Sequence, residues 1–203
     1  MIFNNAVSGR KPFDIRTLCP KSGSRYDPAA ARVLERAVFS SHSKALGVVH
    51  MRFLERYLGC PKAITSDPKL QKTLRPDTYR PFISRVERYL TSTTRPAFFF
   101  VTLRTRPLTE QWLGSLKLNA PAILIDTEYN DPTPEIDGLL SPWSWLRRLF
   151  VEIGIRRIAL IGETAYVRDG VRHGCVHTAY LNLFPMFNVR VINDLTYPNA
   201  NVA

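Results

Sequence analysis

Four short apolar runs stand in the second half of this 203-residue chain, each separated from the next by residues at helical spacing. They predict strands at Phe98–Leu103, Ala122–Ile125, Arg157–Ile161 and Val189–Ile192. A strand that is apolar at nearly every position has no face to offer water. It belongs in a sheet covered on both sides, and such sheets are built of parallel strands joined by helices. The intervening segments fit helices over Leu108–Leu116, over Ser141–Ile153 with Ser-Pro at its start and Gly154 past its end, and over Cys175–Phe184. The expected class is α/β, with a three-layer, largely parallel sheet.

The first half reads differently. Residues 1–26 mix Gly, Ser, Pro and basic residues and read as a mobile basic arm. Asp27-Pro28 is a helix start, Asp as N-cap and Pro at the first helical position. From there Leu34, Ala37, Val38, Leu46, Val49, Phe53, Leu54 and Tyr57 recur near one stripe, predicting helix as far as Leu58, with Gly47 as a breaking point. A connector over 61–79 leads to a second amphipathic helix starting near Pro81, its apolar face carrying Phe82, Ile83, Val86, Tyr89 and Leu90. Thr91–Pro96 closes a basic helical region over 27–95, and the α/β unit occupies 96–203.

The charge balance changes at the same place. Residues 1–95 hold 18 Lys/Arg against 7 Asp/Glu, whereas 96–203 hold 10 of each. The excess suits a polyanion, RNA or DNA first and an anionic membrane surface second. Arg32 with Arg36, Arg52 with Arg56, and Arg85 with Arg88 are the pairs placed to hold a phosphate backbone. With 45% hydrophobic residues the chain has the means to build a core. No apolar run approaches the roughly 18 residues of a membrane span, and no secretory leader is visible in 1–16. Three scattered cysteines, Cys19, Cys60 and Cys175, predict a reducing, intracellular setting, cytoplasmic or nuclear. A protein partner or self-association is also expected.

Polar groups end three of the predicted strands: Asp126-Thr127-Glu128, Gly162-Glu163-Thr164 and Asn193-Asp194. In open α/β sheets, sites gather beyond such strand ends. Asp126 and Glu128 alternate on extended backbone and so project to one side, an arrangement that suits Mg²⁺. Ile125-Asp126-Thr127-Glu128 resembles the first motif of the DEDD exonucleases. That resemblance implies an RNase H-like fold, metal held by Asp126 and Glu128, and His177 as the base that activates water. The stretch His177–Asn182 matches the later motif at His177 and Ala179 and carries Asn182 where those enzymes have Asp. Residues 141–197 also resemble the C-terminal half of isochorismatase-like cysteine hydrolases. This second resemblance implies a Rossmann-like half with Cys175 as nucleophile, and an Asp and a Lys from earlier strands; beyond residue 95 only Lys117 is available. The functional expectation is a nucleic-acid-binding protein acting as a Mg²⁺-dependent nuclease. The alternatives are a non-enzymatic nucleic-acid-binding or assembly protein, and a cysteine hydrolase.

Overall fold

The computed structural model describes residues 13–14, 28–63, 66, 68–102, 104–128, 131–132, 142–168 and 171–198. Apart from Phe13–Asp14, the expected basic arm lies outside them. Helix α1 (Pro28–Ser40) begins at Pro28 as the sequence implies. The helix does not continue to Leu58. Two left-handed residues, His42 and Ser43, reverse the chain, and Lys44–Val49 is strand β2. The reason lies in burial. Leu46 and Val49, three apart, satisfy a helical stripe, but Ala45 before them and Val48 between them are equally buried, and only a strand in mid-sheet hides all four.

Beyond β2 come a short helix α2 (Pro68–Thr73) and helix α3 (Pro76–Ser92). Helix α3 starts five residues before the predicted Pro81, because Pro76 takes the first helical position after extended Arg75. The later elements follow the sequence reading closely: β3 (Ala97–Val101), α4 (Arg106–Ser115), β4 (Ala122–Glu128), α5 (Pro142–Glu152), β6 (Arg157–Glu163), α6 (Cys175–Leu183) and β9 (Asn188–Tyr197). A two-residue strand β1 (Phe13–Asp14) adds to the β4 edge, and β5 (Asp131–Pro132) folds back on the end of β4. Strands β7 (Tyr166–Arg168) and β8 (Val171–His173) form a separate hairpin.

The main path is β1-β4-β3-β2-β6-β9, parallel throughout. The first long strand, β2, is therefore central, and strands from both sides of residue 96 share one sheet. One face packs on α1, α5 and α6, with Phe98, Phe100, Ile123 and Leu160 facing Trp143, Leu146, Phe150 and Leu183. The other packs on α3 and α4, with Phe99, Val101 and Leu124 facing Phe82, Val86 and Trp112. Among the described residues no helix is long and apolar enough to cross a membrane.

Candidate nucleic-acid interface

The chain leaves β2 outward to β3 and β4, then returns to β6 on the opposite side. The direction of winding thus reverses between β2 and β6, and their carboxyl ends form the crevice in which α/β proteins commonly hold ligands. Here the crevice is filled from within. Glu163, at the end of β6, is fully buried. Its carboxylate accepts the Arg52 N–H at 2.7 Å, the Leu54 N–H at 2.6 Å and the Tyr79 hydroxyl at 2.6 Å. The Leu54 N–H begins a short 3₁₀ turn, Leu54–Tyr57, so the carboxylate occupies the amino end of that turn. Burial lifts the Glu163 carboxyl to about 7, against the opposing pull of these three hydrogen bonds.

The neighbouring groups of this crest are also satisfied internally. His50 is buried, its Nε2 lies 3.0 Å from Thr127 Oγ1, and desolvation lowers it to about 4, so the ring stays neutral. Cys175 begins α6 after left-handed Gly174 and donates its N–H to Thr164 Oγ1 at 3.1 Å. Burial pushes its thiol up, the opposite of what a thiolate nucleophile needs. Lys117 is exposed in the loop after α4, and His50, not an acid, follows the central strand. Among the described residues, no Lys or carboxylate acts on the Cys175 thiol.

The remaining predicted residues are dispersed. Asp126 and Glu128 end β4, whose backbone alone is described there; Glu128 pairs with Asp131 of β5. Helix α6, which carries His177, packs on β6, β9, β8 and β2. Strand β4 lies two strands beyond β2, about 10 Å at about 4.8 Å per strand. His177 instead stacks on Tyr180, at 6.1 Å and 11°. Asp169, a further acidic position, lies outside the described residues. Among those described, no three His, Cys, Asp or Glu side chains gather closely enough to hold a metal ion.

The arginine pairs divide between the two faces. Arg32 and Arg36 are exposed on α1, whereas Arg85 and Arg88 are exposed on α3, across the sheet. The Arg85 Nε donates to the Asp194 carbonyl at 3.1 Å, drawing α3 to β9, and Arg88 makes a 3.4 Å bond to the Ser84 carbonyl. Arg52 pairs with Glu55 at 2.8 Å, and Arg56 reaches the Arg104 carbonyl at 3.2 Å; both sit at the carboxyl edge. No single phosphate chain of a few nucleotides meets all six.

A different set of cations does converge. Lys44, Arg95, Arg157 and Arg190 line one groove of about 300 Å³ at the amino-terminal edge of the sheet, together with Asn188 and no carboxylate. Parallel register explains the convergence. Lys44 pairs with Arg157, Arg157 with Asn188, and Ala159 with Arg190, so the starts of β2, β6 and β9 lie side by side. Arg95 precedes β3 and donates to the Tyr89 hydroxyl at 3.2 Å, which turns its guanidinium towards the same edge. The groove continues along β9 past Arg190, Asn193 and Asp194. Sequence reasoning missed these four. The available signal was a basic residue at or just before the start of several apolar runs, which parallel strands must bring together.

No protein-family model matches the sequence, and no curated protein matches it. Among solved structures the chain is similar to the MAR1 ribonuclease from Caenorhabditis elegans, at 17% identity and a TM-score of 0.40. The match covers 75% of this chain and 64% of that one. So distant a likeness says nothing of activity.

Proposed function

We propose that this protein binds RNA or DNA, holding the phosphate backbone in the groove of Lys44, Arg95, Arg157 and Arg190. The observation that carries this reading is the gathering of four cations in one groove, with Asp194 lining only its continuation along β9. Such a site releases condensed counterions when it takes up phosphates, so affinity falls steeply with salt. It reads charge and spacing, with no base-specific contact required. The whole-chain net charge of +11 adds long-range attraction to the same polyanion.

The test uses the full chain, because β2 depends on strands from the far half. Fluorescence anisotropy with labelled single-stranded RNA and DNA is measured across a salt series. Replacing Arg157 and Arg190 together by Gln should reduce the log–log salt slope by about 1.4, at about 0.7 per lost contact on single strands. The Arg32→Gln/Arg36→Gln pair, on the far face, should leave the slope nearly intact. An unchanged slope in the groove variant, with a reduced one in the α1 variant, would place the contacts elsewhere and sink the proposal.

A metal-dependent nuclease is the second reading, favoured by the alternation of Asp126 and Glu128 at the end of β4 with Asp131 opposite Glu128. These carboxylates are the hard oxygen donors that Mg²⁺ prefers, and the ion's part would be to polarise a phosphate oxygen. His177 has no place in this version. The expected result is cleavage of labelled single strands with Mg²⁺, loss with EDTA, and a fall of at least about 100-fold in Asp126→Asn/Glu128→Gln. Cleavage indifferent to both treatments rules the pair out. Wild-type protein that binds without cleaving is a non-enzymatic binding protein.

A further inference from the structure

The cationic groove has a second compartment of different chemistry. Arg95 and Arg190 line both the stretch with Lys44 and Arg157 and a wider one of about 630 Å³. Beyond these two arginines the wider part is walled by Tyr89, Val191, Ile192 and Asp194. Its volume lies within the roughly 300–1,000 Å³ of small-molecule sites. The path of β9 accounts for this wall. Pairing with β6 steps from Leu160–Val191 to Gly162–Thr196, so β9 spends four residues, Ile192–Leu195, where β6 spends only Ile161. A bulge of this kind frees residues from the ladder and re-aims their side chains. Helix α3 holds it in place: the Arg85 Nε donates to the Asp194 carbonyl at 3.1 Å.

The charges along the groove do not cancel one another. Among the described residues, the Asp194 carboxylate makes no hydrogen bond or ion pair, and Asp194 is exposed. The side chains of Lys44, Arg157 and Arg190 are equally uncommitted. A carboxylate repels phosphate, so the compartment with Asp194 does not suit the backbone of a nucleic acid. What it suits is a pair of N–H donors, one for each oxygen. A ligand that fits the whole groove is therefore anionic at one end and carries adjacent donors at the other. Among the bases, guanine alone presents two neighbouring donors, N1–H and the N2 amine, on its pairing edge. Adenine, cytosine and uracil set an acceptor beside their donor, and its lone pair would face the second carboxylate oxygen. The pairing edge is hidden in a duplex and open in a single strand.

We propose that this compartment takes a guanine of a single strand, its N1–H and N2 amine donating to the Asp194 carboxylate while adjoining phosphates lie against Lys44, Arg95, Arg157 and Arg190. The inference rests on the nucleic-acid reading above and adds a base preference to it. It is tested on the full chain by fluorescence anisotropy at fixed salt. The probes are labelled uridine strands of equal length with one central guanosine, inosine or adenosine; inosine keeps N1–H and lacks only the N2 amine. Wild-type protein should bind the guanosine strand about ten-fold more tightly than either of the others, as a bidentate contact discriminates. Annealed to complements, the guanosine and inosine probes should bind equally. Asp194→Asn should bind the guanosine and inosine strands alike, with the adenosine strand held at least as tightly as by wild type, because a charge that repels phosphate is gone. An unaltered urea midpoint for Asp194→Asn shows that the fold is intact.

Equal binding of the guanosine and inosine strands by wild-type protein overturns the proposal. So does a guanosine preference that survives in Asp194→Asn, which places the readout elsewhere, or one that persists in the duplex. Uniform tightening of all three strands in Asp194→Asn, with no preference in wild type, leaves the carboxylate only a repeller of phosphate and also overturns it. If Arg157→Gln/Arg190→Gln loses salt-dependent binding while wild type shows no base preference, the binding function stands and the guanine site falls. If wild-type protein binds no probe, both fall.

Discussion

Replacing Gly162 by Ala should remove a large share of the protein's stability and lower its urea midpoint more than any other single change described. Gly162 lies within β6 at φ +132°, a conformation that costs a side-chain-bearing residue about 1–3 kcal/mol. A Cβ there would also collide with the Val49 carbonyl oxygen and lie 2.6 Å from its N and 2.9 Å from its C. All three are backbone atoms of β2, which is held by β3 on one side and β6 on the other and cannot step aside. Strain and overpacking together should cost about 4 kcal/mol, a large share of the about 5–15 kcal/mol typical of a domain. Gly114, in α4, is the control: a Cβ there meets nothing within 4 Å, and Ala should stabilise by up to about 1 kcal/mol. Urea midpoints measure both changes. A Gly162→Ala protein as stable as wild type would mean that β2 and β6 are not so closely apposed.

Glu163 should give the second largest effect, and one that depends on pH. Truncation to Ala strands two buried N–H groups and the Tyr79 hydroxyl, at about 1–3 kcal/mol for each unsatisfied group, offset in part by removal of a buried charge. A net loss of about 2–4 kcal/mol is expected. The carboxyl ionises at about 7 in the folded chain, up from its ordinary 4.5. Between those values the folded state holds the proton that the unfolded state has released. Its contribution to stability is therefore complete below about 4.5 and is lost as pH rises through about 7. Wild-type protein should be less stable at pH 8 than at pH 5.5 in this component, and Glu163→Gln should flatten that slope. Urea unfolding of both proteins from pH 5.5 to 8 decides it. A slope that survives in Glu163→Gln belongs to another group.

The second half of the chain could be read from sequence because its strands are buried on both faces. Runs such as Phe98–Val101 and Ile158–Ile161 are too continuous for a surface helix, and Ser-Pro and Gly154 bracket α5 without help from tertiary structure. Strand β2 escaped because six residues hold fewer than two helical turns, so Leu46 and Val49 fit either period. Gly162-Glu163-Thr164 was recognisable as a polar strand end. What Glu163 does there was not, since its partners at 52, 54 and 79 depend on where β2 lies. The groove was hidden for a related reason. Lys44, Arg95, Arg157 and Arg190 belong to different segments, and only the register of four parallel strands brings them to one edge. Charge counted along the chain pointed to a polyanion but could not locate its seat.

The central position of β2 also orders events in time. Its two neighbours are β3 and β6, and Lys44 meets Arg157 only after 113 further residues have been made. At about 5–20 residues per second, a ribosome takes on the order of ten seconds to supply that partner. Throughout that interval an apolar strand waits with at least one edge bare, the state in which strands pair with the wrong chain. Contacts this distant in sequence also slow the search for the native arrangement. A nick or gene split at the charge boundary near residue 95 would make the wait permanent: β2 would stay with the basic half and every strand that flanks it would go to the other. Such a cut should yield two insoluble pieces rather than a binding module and a scaffold.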